Sequence, residues 1–219
     1  MKVAGSPSWQ LTEAEGDRAH VLLYLRDVAG LVVPAETDAP PRLAGLPPHR
    51  PPLLEDGRRR QAGREWADWW HALLEVEGRE PFGTGDDDDS SFWAWATDLG
   101  RVWDAPDFES LADRRALREV TLALHPEARR WVDAGPSSPS RIRGEGRFPW
   151  ATVRDTAEGV ATDRGVSQGE VRGRVMVLDV EGVWWRRVAP GTALCSTAAT
   201  EDPATARTVL RDAFESGLA

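Results

Sequence analysis

The sequence predicts an α+β fold, with a mostly helical N-terminal part and a small C-terminal three-stranded antiparallel meander with flanking helices. Apolar residues recur at spacings of three and four through residues 54–134, which is typical of amphipathic helices. Residues 171–196 instead hold three short runs rich in β-branched residues, separated by Glu181-Gly182 and Pro190-Gly191. Such runs, bounded by turn residues, are typical of strands joined by tight turns.

Composition excludes several classes of partner. The chain has 219 residues and a formal net charge of −9, so no surplus of positive charge is available to neutralise phosphates. We therefore expect no nucleic-acid partner. One cysteine, Cys195, excludes an internal disulfide and indicates a reducing, cytoplasmic location. No apolar run approaches the length that spans a bilayer, so we expect no membrane association.

The N-terminal third is predicted to form a helix followed by a connector. Residues 1–33 hold an apolar stripe between Leu11 and Leu31, which predicts one N-terminal helix. Residues 34–53 form a Pro-rich connector, because seven prolines within residues 34–52 exclude a helix or an inner strand. A PxxP pattern at residues 48–51 matches known ligand motifs, but a stiff connector is the favoured interpretation.

Residues 54–134 are predicted to be helical, and their first helix has the strongest pattern. Its reverse face carries Asp68, His71 and Glu75 at spacings of three and four, a set that could supply part of a metal site. No other helix has a matching pair, so we interpret this face as solvated and predict no metal and no cofactor. The apolar stripe of this helix consists of Trp66, Trp69, Trp70, Leu73 and Leu74.

Four aspartates at residues 86–89 precede the next predicted helix. They lack the glycine and the glutamate that a calcium loop of the EF-hand type requires, so we interpret them as a lead-in that favours the positive end of the helix. In that helix, Phe92 and Trp95 share the apolar face, whereas Trp93 points elsewhere.

A second connector is predicted at residues 135–147, followed by a small α+β part at residues 148–219 that runs helix, meander, helix. The last helix should begin at Asp202-Pro203 and cover the sheet face that carries Cys195. The other face would carry Met176, Leu178 and Trp185, and an apolar surface of that size requires a cover. The cover is either the N-terminal helical part or a second subunit.

Tryptophan is the anomaly of the composition, with eleven residues against one tyrosine. Most of the tryptophans fall on helical stripes, where core packing explains them. The candidates for an interface or for ligand stacking are Trp185, Trp93, Met176 and Leu178.

Three functional hypotheses stay open, and the catalytic residues are unknown. A protein–protein interaction or assembly module, with a protein partner or a homo-oligomer, comes first because no catalytic motif is present. The alternative is a small-molecule or carbohydrate-binding protein that uses exposed tryptophans. An enzyme whose site the sequence does not reveal is the third. Cys195 is predicted to be a buried, inert thiol.

Two segments of the sequence resemble parts of other proteins. The run Val-Trp-Trp-Arg-Arg at residues 183–187, set between two strands and followed by a helix, resembles the C-terminal parts of uncharacterised actinobacterial proteins. The helix that holds Trp66 and Trp70 after a Pro-rich lead resembles them too. The resemblance implies no activity, cofactor or site residue.

Overall fold

The computed structural model of the chain describes residues 8–14, 16–46, 53–81, 89–134 and 146–218. The PxxP pattern at residues 48–51 and the aspartate run lie outside these residues, except for the backbone of Asp89. The chain divides into two compact units. Unit 1 comprises Met1–Glu15 and Ile142–Ala219, and unit 2 comprises Gly16–Arg141. The α+β class with a helical N-terminal part is confirmed.

Unit 1 contains a mixed sheet, which in the described part of the chain has four strands in the order β1-β2-β4-β3. β1 and β4 both run parallel to β2, and β3 runs antiparallel to β4. The sheet therefore differs from the predicted meander in strand number and in strand order. The strands are β1 (Gln10–Ala14), β2 (Arg172–Leu178), β3 (Trp185–Ala189) and β4 (Thr192–Ser196).

The two predicted turns explain this difference. Pro190-Gly191 forms the expected tight turn, with Gly191 at φ 75°, and joins the neighbouring strands β3 and β4. Glu181-Gly182 does not form a two-residue turn, and residues 179–184 connect β2 to β3 instead. Both favoured types of two-residue hairpin turn require positive φ at the first central residue, which strains a glutamate such as Glu181. The longer connection leaves room for β4 between β2 and β3.

β1 corrects the predicted N-terminal helix, which was expected to begin at Leu11. Residues 10–14 form an edge strand, and the helix α1 spans only Asp17–Val28. Gly16 separates the two with φ 59°, a left-handed conformation that glycine tolerates without strain. The pairing of β1 with β2 is long-range, because Leu11 faces Gly173 across the ladder. Local periodicity carries no signal for such a pairing.

In the described part of unit 1, the α-helices are α5 (Trp150–Arg164), α6 (Thr197–Glu201) and α7 (Pro203–Ser216). α7 begins as predicted, since the Asp202 carboxylate accepts the N–H of Thr205 at 2.8 Å and Pro203 is the first helical residue. Its apolar stripe and that of α5 pack in one core with alternate residues of β2 and β4. The stripe of α7 consists of Ala206, Val209, Leu210, Ala213 and Phe214, all buried.

Unit 2 is helical, with α1, α2 (Asp56–Glu77), α3 (Asp89–Val102) and α4 (Arg115–Ala134). The stripe of α2 is buried as predicted. The Trp66 indole N–H donates to the carbonyl of Leu22 at 2.8 Å, so the polar atom of this buried ring is satisfied. None of the described helices is long and apolar enough to cross a membrane.

The described portion of the Pro-rich segment packs onto α1. The buried Arg26 guanidinium donates to the carbonyls of Pro40 at 2.6 Å and Pro41 at 2.8 Å. The Asp27 carboxylate pairs with Arg26 and accepts the N–H of Leu43 at 2.8 Å. Prolines supply no N–H donor but leave their carbonyls free, and Arg26 uses two of these carbonyls to hold the segment in place.

Candidate functional site

The four apolar site candidates do not form one surface. Met176 and Leu178 are buried on one face of β2. Trp185 faces Cys195 in the ladder and packs, half-buried, against the helix-covered core on the opposite face. This corrects the predicted face of Trp185. The cause is a register shift of one residue in the β3–β4 ladder, between Arg187 and Ala189, because such a shift moves a side chain to the other face of the sheet. Trp93 lies on α3 in unit 2 and is 65% exposed.

The polar candidates Asp68, His71 and Glu75 all lie exposed on α2. The Nε2 atom of His71 is 3.1 Å from the carbonyl oxygen of Thr37, and a Glu75 oxygen is 3.8 Å from the Arg79 guanidinium. Within the residues that the structure describes, no group of three His, Cys, Asp or Glu side chains could hold a metal ion. These side chains therefore form a solvated helix face.

A cavity of about 540 Å³ lies within unit 1, and we call it the aromatic cleft. Its volume falls within the range of small-molecule sites, roughly 300–1,000 Å³. The cleft is lined by the edge strand β1 with the residue before it, by the segment that leads into α5, and by the first turn of α5. The described lining residues are Trp9, Leu11, Glu13, Gly146, Phe148, Pro149, Trp150 and Val153.

Two tryptophans dominate the wall of the cleft. Trp9 directly precedes β1, and Trp150 is the first residue of α5. The fixed φ of the preceding Pro149 suits the start of a helix. The ring centroids of Trp9 and Trp150 are 4.8 Å apart with an interplanar angle of 44°. Trp150 is 68% exposed, so a large aromatic face is open to a ligand.

Glu13 supplies the charge of the cleft. Its carboxylate accepts the backbone N–H of Arg147 at 2.6 Å and that of Phe148 at 3.5 Å. Gly146 permits this approach, because a Cβ atom at residue 146 would lie 2.8 Å from Glu13 Oε1. A carboxylate has about four lone-pair sites, so Glu13 keeps acceptor capacity for a ligand.

A polar network fixes the segment that carries Phe148 and Trp150. Arg147 Nη1 lies 3.7 Å from Asp179 Oδ1, and the Thr197 hydroxyl donates to the same oxygen at 2.7 Å. Asp179 directly follows β2 and Thr197 directly follows β4. These strands are parallel, so their carboxyl ends share one edge of the sheet, a common place for binding sites in sheets of this kind. The network is largely buried and holds the segment in position.

Cys195 in β4 is buried, as predicted. Burial raises the pKa of its thiol to about 12; the nearby Arg147 guanidinium acts in the opposite direction and Glu13 adds to the rise. A thiol with so high a pKa is protonated at neutral pH, and the nucleophile in cysteine chemistry is the thiolate. Cys195 is therefore a core residue.

A second cavity, of about 470 Å³, lies in unit 2 between α1 and the Pro-rich segment. Two of its charged lining residues, Arg26 and Asp27, are paired with each other and bonded to the backbone of the Pro-rich segment. The hydrogen-bonding groups of Arg26 and Asp27 are thus already used to hold the fold. In the aromatic cleft, by contrast, the ring of Trp150 is mostly exposed and can contact a ligand. The aromatic cleft is therefore the stronger candidate site.

Sequence reasoning did not identify Trp9, Glu13, Arg147 or Trp150 as site residues. Glu13 was placed inside a predicted helix, where its role could not be seen. One signal was available: Trp150 follows Pro149 at the predicted start of α5, and a side chain in the first turn of a helix often lies outside the buried stripe.

Comparison of the chain with protein-family models, with curated proteins and with solved structures finds no match. The resemblance to actinobacterial proteins stays a prediction. Function is therefore argued from the geometry of the aromatic cleft.

Proposed function

We propose that unit 1 is a small-molecule-binding module and that the aromatic cleft is its binding site. The observation that carries this proposal is the exposed ring of Trp150 beside Trp9, over a cavity of about 540 Å³. Ligand sites in proteins are concave, mostly apolar and equipped with a few placed polar groups. The cleft has this composition, with Glu13 as its ionisable side chain among the described lining residues.

Binding is favoured over catalysis by the chemistry of the lining. Many catalytic sites place both a proton donor and a proton acceptor around one reacting group. The described lining of the cleft offers a single carboxylate, and the thiol of Cys195 is buried and protonated. The proposal accordingly assigns recognition, and no reaction, to these residues.

Fixed geometry also supports a binding role. The backbone of Arg147 is held by Glu13, and its guanidinium lies 3.4 Å from the Thr197 hydroxyl and 3.7 Å from Asp179. Trp150 begins α5 three residues later. A site whose walls are held before the ligand arrives loses less conformational entropy on binding.

Ligand-observed NMR with a mixture of small aromatic, sugar and ammonium compounds tests the proposal. Compounds that bind the wild type should lose their signal changes with Trp150→Ala, and should keep them with Trp93→Ala. The two variants each remove one exposed tryptophan, so the comparison controls for nonspecific contact with indole rings. Binding that survives Trp150→Ala, or no binding by any compound, would contradict the proposal.

A protein–protein interaction is the second candidate, and the exposed end of α3 favours it. Phe92 and Trp93 are 49% and 65% exposed and their ring centroids are 5.8 Å apart. Exposed aromatic residues are enriched at interaction hot spots. Light scattering tests this candidate: if the wild type self-associates through these rings, Trp93→Ala should lower its mass, and an unchanged mass would argue against a homo-oligomer formed there.

A further inference from the structure

We propose that the aromatic cleft binds a small organic cation that carries an alkylated ammonium group. This inference rests on the proposed function and names the class of ligand. It is carried by the combination of aromatic faces with a carboxylate in one cavity.

The aromatic residues supply the first half of the recognition. Trp9, Phe148 and Trp150 all line the cleft, and the two indole rings are inclined at 44° with centroids 4.8 Å apart. The faces of aromatic rings carry partial negative charge and attract cations, with tryptophan the most effective. Methyl groups on an ammonium ion also gain from contact with apolar walls such as Leu11 and Val153.

Glu13 supplies the second half. Its carboxylate accepts two backbone N–H groups from Arg147 and Phe148, which fix its position without neutralising its charge. The guanidinium of Arg147 is engaged instead with Asp179 and Thr197. Among the described residues that line the cleft, none carries a positive charge and Glu13 carries a negative one, so the described lining complements a cation.

The start of α5 acts in the opposite direction but is weaker. A helix N-terminus carries roughly half an elementary positive charge, and α5 begins at Trp150 in the lining. The full charge of Glu13 exceeds this partial charge, so the sum still favours a cation over an anion.

The lining also favours an alkylated cation over a neutral sugar. Sugars carry many hydroxyl groups, and each hydroxyl that enters a site without a partner costs free energy. Glu13 is the one charged side chain among the described lining residues, and the indole N–H groups of Trp9 and Trp150 are the other polar side-chain groups there. A trimethylammonium group needs no hydrogen-bond partner and fits such a lining.

Isothermal titration with choline chloride and with its neutral carbon isostere tests the inference directly. In the isostere a tert-butyl group replaces the trimethylammonium group, so shape is kept and charge is removed. Sodium chloride is adjusted to hold the ionic strength constant. We expect choline to bind the wild type about tenfold more tightly than the isostere, in keeping with the strength of desolvated cation–aromatic contacts.

Two variants locate the effect. Glu13→Gln keeps an oxygen acceptor for a backbone N–H and removes the charge, so it should reduce the preference for choline severalfold, while its melting curve shows whether unit 1 stays folded. Trp93→Ala, which changes an exposed tryptophan outside the cleft, should leave the preference unchanged.

The outcomes separate this inference from the proposed function. Equal binding of choline and the isostere, or binding of neutral compounds alone, would overturn the inference and leave the cleft as a ligand site. A preference for choline that persists in Glu13→Gln and in Trp150→Ala would also overturn it, because the charge would then be recognised elsewhere. If no compound of any class binds, both proposals fail together.

Discussion

The tryptophans of α2 in unit 2 and those of the aromatic cleft in unit 1 occupy opposite environments. Trp66, Trp69 and Trp70 are almost fully buried, and the first two donate their indole N–H groups to backbone carbonyls at 2.8 Å. Trp9 and Trp150 instead line a cavity, and Trp150 is mostly exposed. Tryptophan thus packs in the core of one unit and lines an accessible cavity in the other, and the residues around each ring determine which role it has.

The largest expected effect concerns stability. Trp66→Ala should lower the free energy of unfolding of unit 2 by about 3–5 kcal/mol, because a large buried side chain leaves a cavity. Trp150→Ala should cost unit 1 about 1 kcal/mol or less, since the side chain is mostly exposed and removing it leaves no buried cavity. Urea denaturation followed by circular dichroism measures both, and equal losses would erase the distinction between the two groups of tryptophans.

A smaller effect is expected at the start of α7, which covers the sheet next to the cleft. Asp202→Ala removes the carboxylate that accepts the Thr205 N–H and should cost about 1 kcal/mol. Asp202→Asn serves as the matched variant, because asparagine keeps the acceptor and caps helices equally well. A loss as large with Asn as with Ala would show that the cap bond is not the cause.

The smallest effect concerns pH and His125, whose ring packs beside that of Phe108 in unit 2. Burial lowers the pKa of His125, with a contribution from Arg129, and the His125 ring lies 4.9 Å from that of Phe108. The imidazole of His125 therefore binds a proton more tightly in the unfolded chain than in the folded chain. The stabilisation is present above the unfolded pKa of about 6.5 and is lost as the pH falls towards the folded pKa.

Urea melts between pH 7.5 and about 5 check the sign of this effect. The wild type should lose stability as the pH falls, and His125→Phe, which keeps an aromatic ring and cannot be protonated, should lose less. A steeper loss in the variant would show that His125 gains a proton on folding, and that its surroundings are not as described.

Local signals predicted the helices well because their causes are local. The stripe of α2 and the Asp202-Pro203 start of α7 can both be read within a few turns of chain, and the structure has both. The strand β1 was missed because its partner strand, Arg172–Leu178, lies far away in the sequence. The order of β2, β3 and β4 was missed because Glu181-Gly182 was predicted to form a tight turn on account of its glycine, although a glutamate does not suit the first position of such a turn.

The candidate site could not be predicted for the same physical reason. The Glu13 carboxylate is hydrogen-bonded to the backbone N–H of Arg147, which lies 134 positions later in the sequence, and no spacing rule connects residues so far apart. Trp185 shows a second limit, because its face depends on a one-residue register shift between β3 and β4, which local periodicity does not reveal. Trp93, in contrast, was predicted to point away from the apolar face of its helix, and it is exposed.

Fluorine NMR of the chain labelled with fluorotryptophan tests the central claim most directly, because each of the eleven tryptophans gives its own signal. Replacing Trp9, Trp66, Trp93 and Trp150 by Phe one at a time assigns the signals that matter. On titration with choline, we predict that the signals of Trp9 and Trp150 shift together and saturate, while those of Trp66 and Trp93 stay in place. A saturable shift confined to Trp66 or Trp93, or no shift at any position, would contradict the assignment of the ligand to the aromatic cleft.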